Sequence, residues 1–284
     1  MHRTASVRGL GAVLLIAGLA GCEDHPSASV VGAHITELTT EKVGISLDVR
    51  IENPWVFPLP LGEAKGSLFS AQINANAPFL QVAGGSTAPV PRTGSLTVPL
   101  KGTLIYWPLP PNLANLHPGD EVSYQAKLKL ALKAPPNQRL DLPEITHHGK
   151  IPILAPPQVS IKSVSWPTFS WERVSGTVTL GITNMNRFSI GPGSASGDLI
   201  LKQQAFMSGD KELSSLSATM PGAIAGHHTG DLDITVSFKP EDLFDLGTWA
   251  GLVVALVDNH QFRARGRISA QTSYIPVELK FDSQ

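Results

Sequence analysis

Every second residue from Val43 to Ile51 is apolar: Val43, Ile45, Leu47, Val49 and Ile51, with polar or small residues between them. The same alternation recurs along the chain. Leu96, Val98, Leu100 and Leu104 share one parity, as do Val122, Tyr124, Ala126, Leu128 and Leu130. Further on, Val178, Leu180 and Ile182 alternate, and so do Leu232, Ile234, Val236 and Phe238. Successive side chains on a strand point to opposite faces, so period two predicts half-buried strands of antiparallel sheets. The stretch "GLVVALVDN" from Gly251 has apolar residues on both parities and is expected to be a strand buried on both faces. Two short helices are predicted, one in "PPNLANLHPG" through Leu113 and Leu116, the other in "KPEDLFDLG" through Leu243 and Leu246. In the second, Pro240 suits the first turn and Gly247 the stop.

The pattern is written twice. "RIENPWVFPLPLGEAKGSLF" from Arg50 lies without a gap over "GITNMNRFSIGPGSASGDLI" from Gly181. Ile51 meets Ile182, Asn53 meets Asn184 and Phe57 meets Phe188. Gly62, Ala64, Gly66 and Leu68 meet Gly193, Ala195, Gly197 and Leu199. "TGSLTVPL" at Thr93 matches "TGDLDITV" at Thr229, and the closing strands "KIPIL" from Lys150 and "YIPVEL" from Tyr274 also correspond. The offsets drift, as expected when loops vary and strands do not. The reading is a tandem duplication joined at "LAPPQVS", whose two prolines make a short, stiff connection.

A strand ending in Asn-Pro, an apolar turn, a Gly-rich return strand, a "T-G-x-L-x-V" strand and an "I-P-V" close resembles the late embryogenesis abundant type 2 domain, also called the WHy (water stress and hypersensitive response) domain. The first copy has Asn53-Pro54; the second keeps Asn184 but reads Asn184-Met185-Asn186. The resemblance implies an immunoglobulin-like or fibronectin-III-like β-sandwich with one short helix per copy, and a role in stress protection. The local chemistry of the Asn is independent of the family. It has the inward parity of Leu47, Val49 and Ile51, and a buried amide needs partners, which the backbone of the next turn supplies. Asn53, Pro54 and Asn184 are therefore read as structural corners, with Pro54 fixing the chain as it leaves the strand.

The first residues read as an address. His2, Arg3 and Arg8 precede an apolar run from Leu10 to Leu19, too short to span a bilayer, and the run ends in "LAGC". Leu19-Ala20-Gly21-Cys22 resembles a bacterial lipobox, which implies cleavage before Cys22 and its acylation. Cys22 is the only cysteine. The mature chain then has no disulfide and is held by its core alone. Lys+Arg is 22 and Asp+Glu is 23. Losing Arg3 and Arg8 leaves 20 against 23, a formal charge of −3, which does not suit a polyanion binder.

Sites for chemistry are scarce. His147-His148 and His227-His228 each place one imidazole per strand face, too few for a metal site. "GSASG" from Gly193 lacks the central Ser of a nucleophile elbow. Its glycines lie between strands, where turn chemistry explains them. Asp231 and Asp233 share a strand face as solvated acids. Arg263, Arg265 and Arg267 alternate with Phe262, Ala264 and Ile268 and form a ladder. It is expected either to pair with acids on neighbouring strands or to meet anionic headgroups.

The expectation is an all-β chain of two tandem antiparallel sandwiches: 1–21 signal peptide, 22–27 tether, 28–155 first copy and 156–284 second copy. It has no catalytic residues, metal or cofactor. It is lipid-anchored at Cys22 in the cell envelope facing the periplasm, with the outer membrane favoured, because Glu23 rather than aspartate follows Cys22. Its partners are the membrane and protein clients or an envelope partner, with no nucleic acid and no small-molecule substrate. Its role is stress-protective binding or, alternatively, that of a structural adaptor.

Overall fold

The computed structural model describes residues 25–108, 110–203, 209–243, 253, 256 and 261–283. The signal peptide, Cys22 and Leu246 lie outside them. The chain is built of antiparallel β-strands. In the first half these are β1 (Ser27–Leu38), β2 (Lys42–Asn53), β3 (Leu61–Phe69), β4 (Leu80–Ala83), β5 (Gly94–Ile105), β6 (Glu121–Ala134), β7 (Gln138–Asp141) and β8 (Ile145–Pro152). They pair in the order β1-β2-β5-β4-β3-β6, with β7 and β8 both on β6. A single register pair, Ala83 with Lys101, joins β4 to β5. At that point the sheet passes from one layer of the sandwich to the other, and at the opposite margin β1 lies against β8.

The second half repeats the order with separate layers. β9 (Gln158–Phe169), β10 (Val174–Thr183) and β13 (Thr229–Phe238) form one sheet. β12 (Lys211–Met220), β11 (Ile190–Leu201), β14 (Phe262–Thr272) and β15 (Pro276–Asp282) form the other. β13-β10-β9 mirrors β5-β2-β1, and β12-β11-β14-β15 mirrors β4-β3-β6-β8. Among the described residues no strand of one half pairs with a strand of the other.

The alternation expected from the sequence is the burial pattern. Val43, Ile45, Leu47, Val49 and Ile51 are buried; toward the end of the strand Arg50 and Glu52 alternate with them as exposed residues, whereas Gly44 and Ser46, which β1 covers, are buried too. Ala126, Leu128, Leu180, Ile182, Ile234 and Val236 face inward as well. The shared glycines mark where a neighbouring strand comes close. A Cβ on Gly66 would meet Leu128 Cδ2 at 2.3 Å, and one on Gly197 would meet the Arg265 carbonyl at 2.1 Å.

Two local expectations are corrected. The first predicted helix is a single 3₁₀ turn, Pro111–Leu113, whose N-terminus has no side-chain cap; Leu113 and Leu116 are nevertheless buried. Of "GLVVALVDN", Val253 and Leu256 are described, and both are helical rather than extended. Leu256 is buried, and its carbonyl accepts the Trp166 indole N–H at 3.0 Å. An apolar run with both parities filled suits a buried helix as well as a buried strand. The second predicted helix begins as α1 (Pro240–Leu243).

Candidate functional site

The repeated asparagines build the same corner twice. Asn53 Nδ2 donates to the Phe57 carbonyl at 2.8 Å and the Pro91 carbonyl at 3.0 Å, and its Oδ1 accepts the Trp55 N–H at 3.0 Å. Asn184 Nδ2 donates to the Phe188 carbonyl at 2.7 Å and the Ile224 carbonyl at 3.0 Å, and its Oδ1 accepts the Asn186 N–H at 3.0 Å. Each amide ties its own turn to the loop that enters the neighbouring strand. Both are almost fully buried, and among the described residues no buried side-chain polar atom lacks a partner. These are satisfied structural amides rather than groups waiting for a ligand.

The two halves meet where the second copy departs from Asn-Pro. Asn186 stands at the position of Trp55 and is fully buried. Its Oδ1 accepts the Ala155 N–H at 2.7 Å, and its Nδ2 donates to the Ala155 carbonyl at 3.1 Å. One side chain thus reads both backbone groups of the joint. Gly119, at φ +95°, accepts the Arg187 N–H at 2.9 Å, and Arg187 Nε lies 3.1 Å from Asp120. A Cβ on Gly119 would sit 2.3 Å from the Met185 carbonyl oxygen, so the contact requires glycine. Beside it, Tyr274 donates its hydroxyl hydrogen bond to Glu121, and its ring packs edge-on against Phe188 at 5.5 Å. Burial, and then the Glu121 carboxylate, hold the Tyr274 hydroxyl well above its usual pKa. The joint is not an exposed linker, since Leu154 and Ala155 are buried.

Sequence reasoning did not single out Gly119, Asn186 or Tyr274. The available signal was the comparison of the copies position by position: an apolar Trp in one and a polar Asn in the other, on the same turn, marks a difference in what covers it.

The arginine ladder faces acids. Arg263 forms a two-pronged pair with Asp282 on β15, Arg265 Nε lies 3.8 Å from Asp198 on β11, and Arg267 lies 3.1 Å from Glu278 on β15. All three guanidiniums are well exposed, and exposed pairs contribute little to stability. Arg263 holds the Asp282 carboxyl below its usual range. That pair's contribution is present above the unfolded carboxyl pKa and is lost as pH falls through the lower folded value. Replacing all three arginines by Gln is expected to lower the melting temperature only slightly and to flatten its acid limb. A matched pH series of thermal melts checks this.

The other candidates are dispersed. His147 and His148 point to opposite faces of β8, and burial pushes the His147 pKa down. His227 and His228 lie exposed in a turn, where His228 Nδ1 is 2.7 Å from the Gly226 carbonyl. Asp231 pairs with Lys162, and Asp233 accepts the Thr179 hydroxyl at 2.7 Å. Among the described residues there is no group of three His, Cys, Asp or Glu side chains that could hold a metal ion. No described helix is long and apolar enough to cross a membrane. An open cleft of about 550 Å³ lies at the free end of the first half, lined by His25, Arg50, Glu52, Asn53, Pro54 and Thr93 among others.

No family model matches the chain, and no curated protein matches it. Similar solved structures include the crystal structure of red sea bream transglutaminase, at 13% identity and a TM-score of 0.24. The match spans 92% of this chain and 31% of that one, and a likeness this distant carries no argument about function.

Proposed function

We propose that this chain is a non-enzymatic, lipid-anchored protein of the cell envelope whose two WHy-like sandwiches form a protective binding module under water or osmotic stress. The observation that supports this reading best is the double construction. One corner and one strand order occur twice, joined by buried hydrogen bonds, and every buried polar group in the corners is spent on structure. Catalysis needs convergent titratable groups, whereas the acids and histidines here are partnered or scattered over separate faces. The test dries a labile enzyme with and without the purified protein. Retention of activity at sub-stoichiometric to equimolar ratios supports the module; no more retention than with an inert protein of equal mass removes the protective role.

The fixed joint favours a second reading. A tandem held rigid at Asn186, Gly119 and Tyr274 presents its surfaces at a set spacing, as a structural adaptor would. Crosslinking in cells with and without osmotic stress separates the two: one stoichiometric envelope partner under both conditions supports the adaptor.

The anchor is part of the proposal. Acyl burial is worth about 0.8 kcal/mol per CH₂, and two or more chains hold firmly. Cys22→Ala is therefore expected to move the protein from membranes into the soluble fraction, and persistence in the pellet after a high-salt wash overturns the lipoprotein reading. Gradient fractionation of the wild type assigns the outer or inner membrane.

A further inference from the structure

We infer that the free end of the first half, formed by the turn Pro54-Trp55-Val56-Phe57 and its rim, lies against the lipid headgroups, so that the tandem stands on the membrane on this apolar tip. The inference rests on the anchored reading and adds an orientation and a contact surface to it.

Three observations carry it. First, the repeat supplies an internal control. The equivalent turn of the second half, Met185-Asn186-Arg187, meets the first half, and there Asn186 is buried on the Ala155 backbone groups and Arg187 pairs with Asp120, both polar where the first-half turn has Trp55 and Val56. The first-half turn has no such cover among the described residues, yet it is apolar. "PWVFPLPL" runs from Pro54 to Leu61, and Val56 at its tip is 77% exposed. A turn facing water would favour the polar set.

Second, the chain enters at this place. His25, the first described residue, lines the same cleft as Asn53 and Pro54. Cys22 is three residues earlier, so its Cα lies within about 11 Å of His25 even when fully extended. Acyl chains on Cys22 hold this end, rather than any other, at the bilayer surface.

Third, the side chains suit an interface. The Trp55 and Phe57 rings lie 5.4 Å apart and half-buried, with Val56, Pro58 and Pro60 exposed around them. Aromatic rings settle at headgroup level, and a small apolar tip reaches about 5–10 Å into that zone. Arg92, exposed in the loop that Asn53 bonds, offers charge toward anionic lipid, while Arg50 on the cleft pairs with Glu52 at 3.3 Å. This orientation carries Arg263, near the end of β14 remote from the joint, away from the bilayer.

The test uses the acylated protein in vesicles of phosphatidylethanolamine and phosphatidylglycerol carrying lipids spin-labelled near the headgroup. Cys22 is the chain's only cysteine and is blocked once acylated, so Val56→Cys and Thr168→Cys each offer one thiol for an environment-sensitive fluorophore. Both positions are exposed, and Thr168 lies at the far end of β9. The expected result is a blue shift and loss of most emission for the V56C probe, with the T168C probe unchanged. Equal, weak quenching at both positions, in protein whose N-terminal mass shows acyl chains, overturns this orientation and leaves the anchored reading standing. A blue-shifted V56C probe that lipid does not quench, in protein sedimenting as a larger species, makes the occupant a second copy and also overturns it. A mass without acyl chains on Cys22 overturns both.

Discussion

Asn184→Ala is expected to destabilise the second half by on the order of 3 kcal/mol, because each buried backbone group left without a partner costs about 1–3 kcal/mol and two lose theirs. They are the Phe188 carbonyl and the Asn186 N–H, whereas the Ile224 carbonyl keeps the Ile190 N–H at 3.0 Å. For a chain of this size the melting temperature should fall by about 6–12 °C. Asn53→Ala should cost less, since its corner lies at the open end beside the cleft, where water can replace the lost donor. Asn184→Asp sharpens the test. The new carboxylate would point a charge at two carbonyl oxygens in a buried site, so its folded pKa rises well above the unfolded value of about 3.9. The native state then keeps a proton that the unfolded state releases, and stability falls as pH rises through that window. Relative to wild type, N184D should be worse than N184A at neutral pH and should recover part of the loss in acid. Equilibrium urea unfolding at two pH values measures both. Wild-type stability in N184A would mean that strand packing alone holds the corner.

Gly119→Ala should open the joint. A left-handed conformation costs an L-residue about 1–2 kcal/mol, and overpacking against the Met185 carbonyl adds roughly 1–3 kcal/mol. The turn that accepts the Arg187 N–H must shift, and the Asn186 grip on Ala155 loosens with it. Hydrogen exchange reads this directly. The Ala155 N–H should exchange faster in G119A, while the central amides of β2 and β10 keep their protection. That outcome supports two halves that fold on their own, divided near residues 155–156. Uniform loss of protection in both halves would instead mean one cooperative unit, which the continuous buried cluster running through both halves also permits.

The strands were legible in the sequence because period two is a local property. Burial selects one face of each strand, and Val43 to Ile51 or Leu232 to Phe238 write that face directly into the chain. The Asn corner was legible for the same reason: its parity makes Asn53 and Asn184 inward, and an inward amide at a strand end must bond the next turn. The tandem order followed from reading the two copies over one another. Where local pattern is ambiguous, the tertiary structure decided. "GLVVALVDN" satisfies a buried strand and a buried helix equally, and Val253 and Leu256 are helical. The proline-flanked segment before Leu113 has room for one 3₁₀ turn and no capping side chain. The acids opposite Arg263, Arg265 and Arg267 depended on which strands became neighbours, which period two does not encode. The roles of Gly119, Asn186 and Tyr274 arose only when one copy's loop met the other copy's turn. Such contacts join residues far apart in sequence, and their partners are chosen by packing, after the local pattern has already been satisfied.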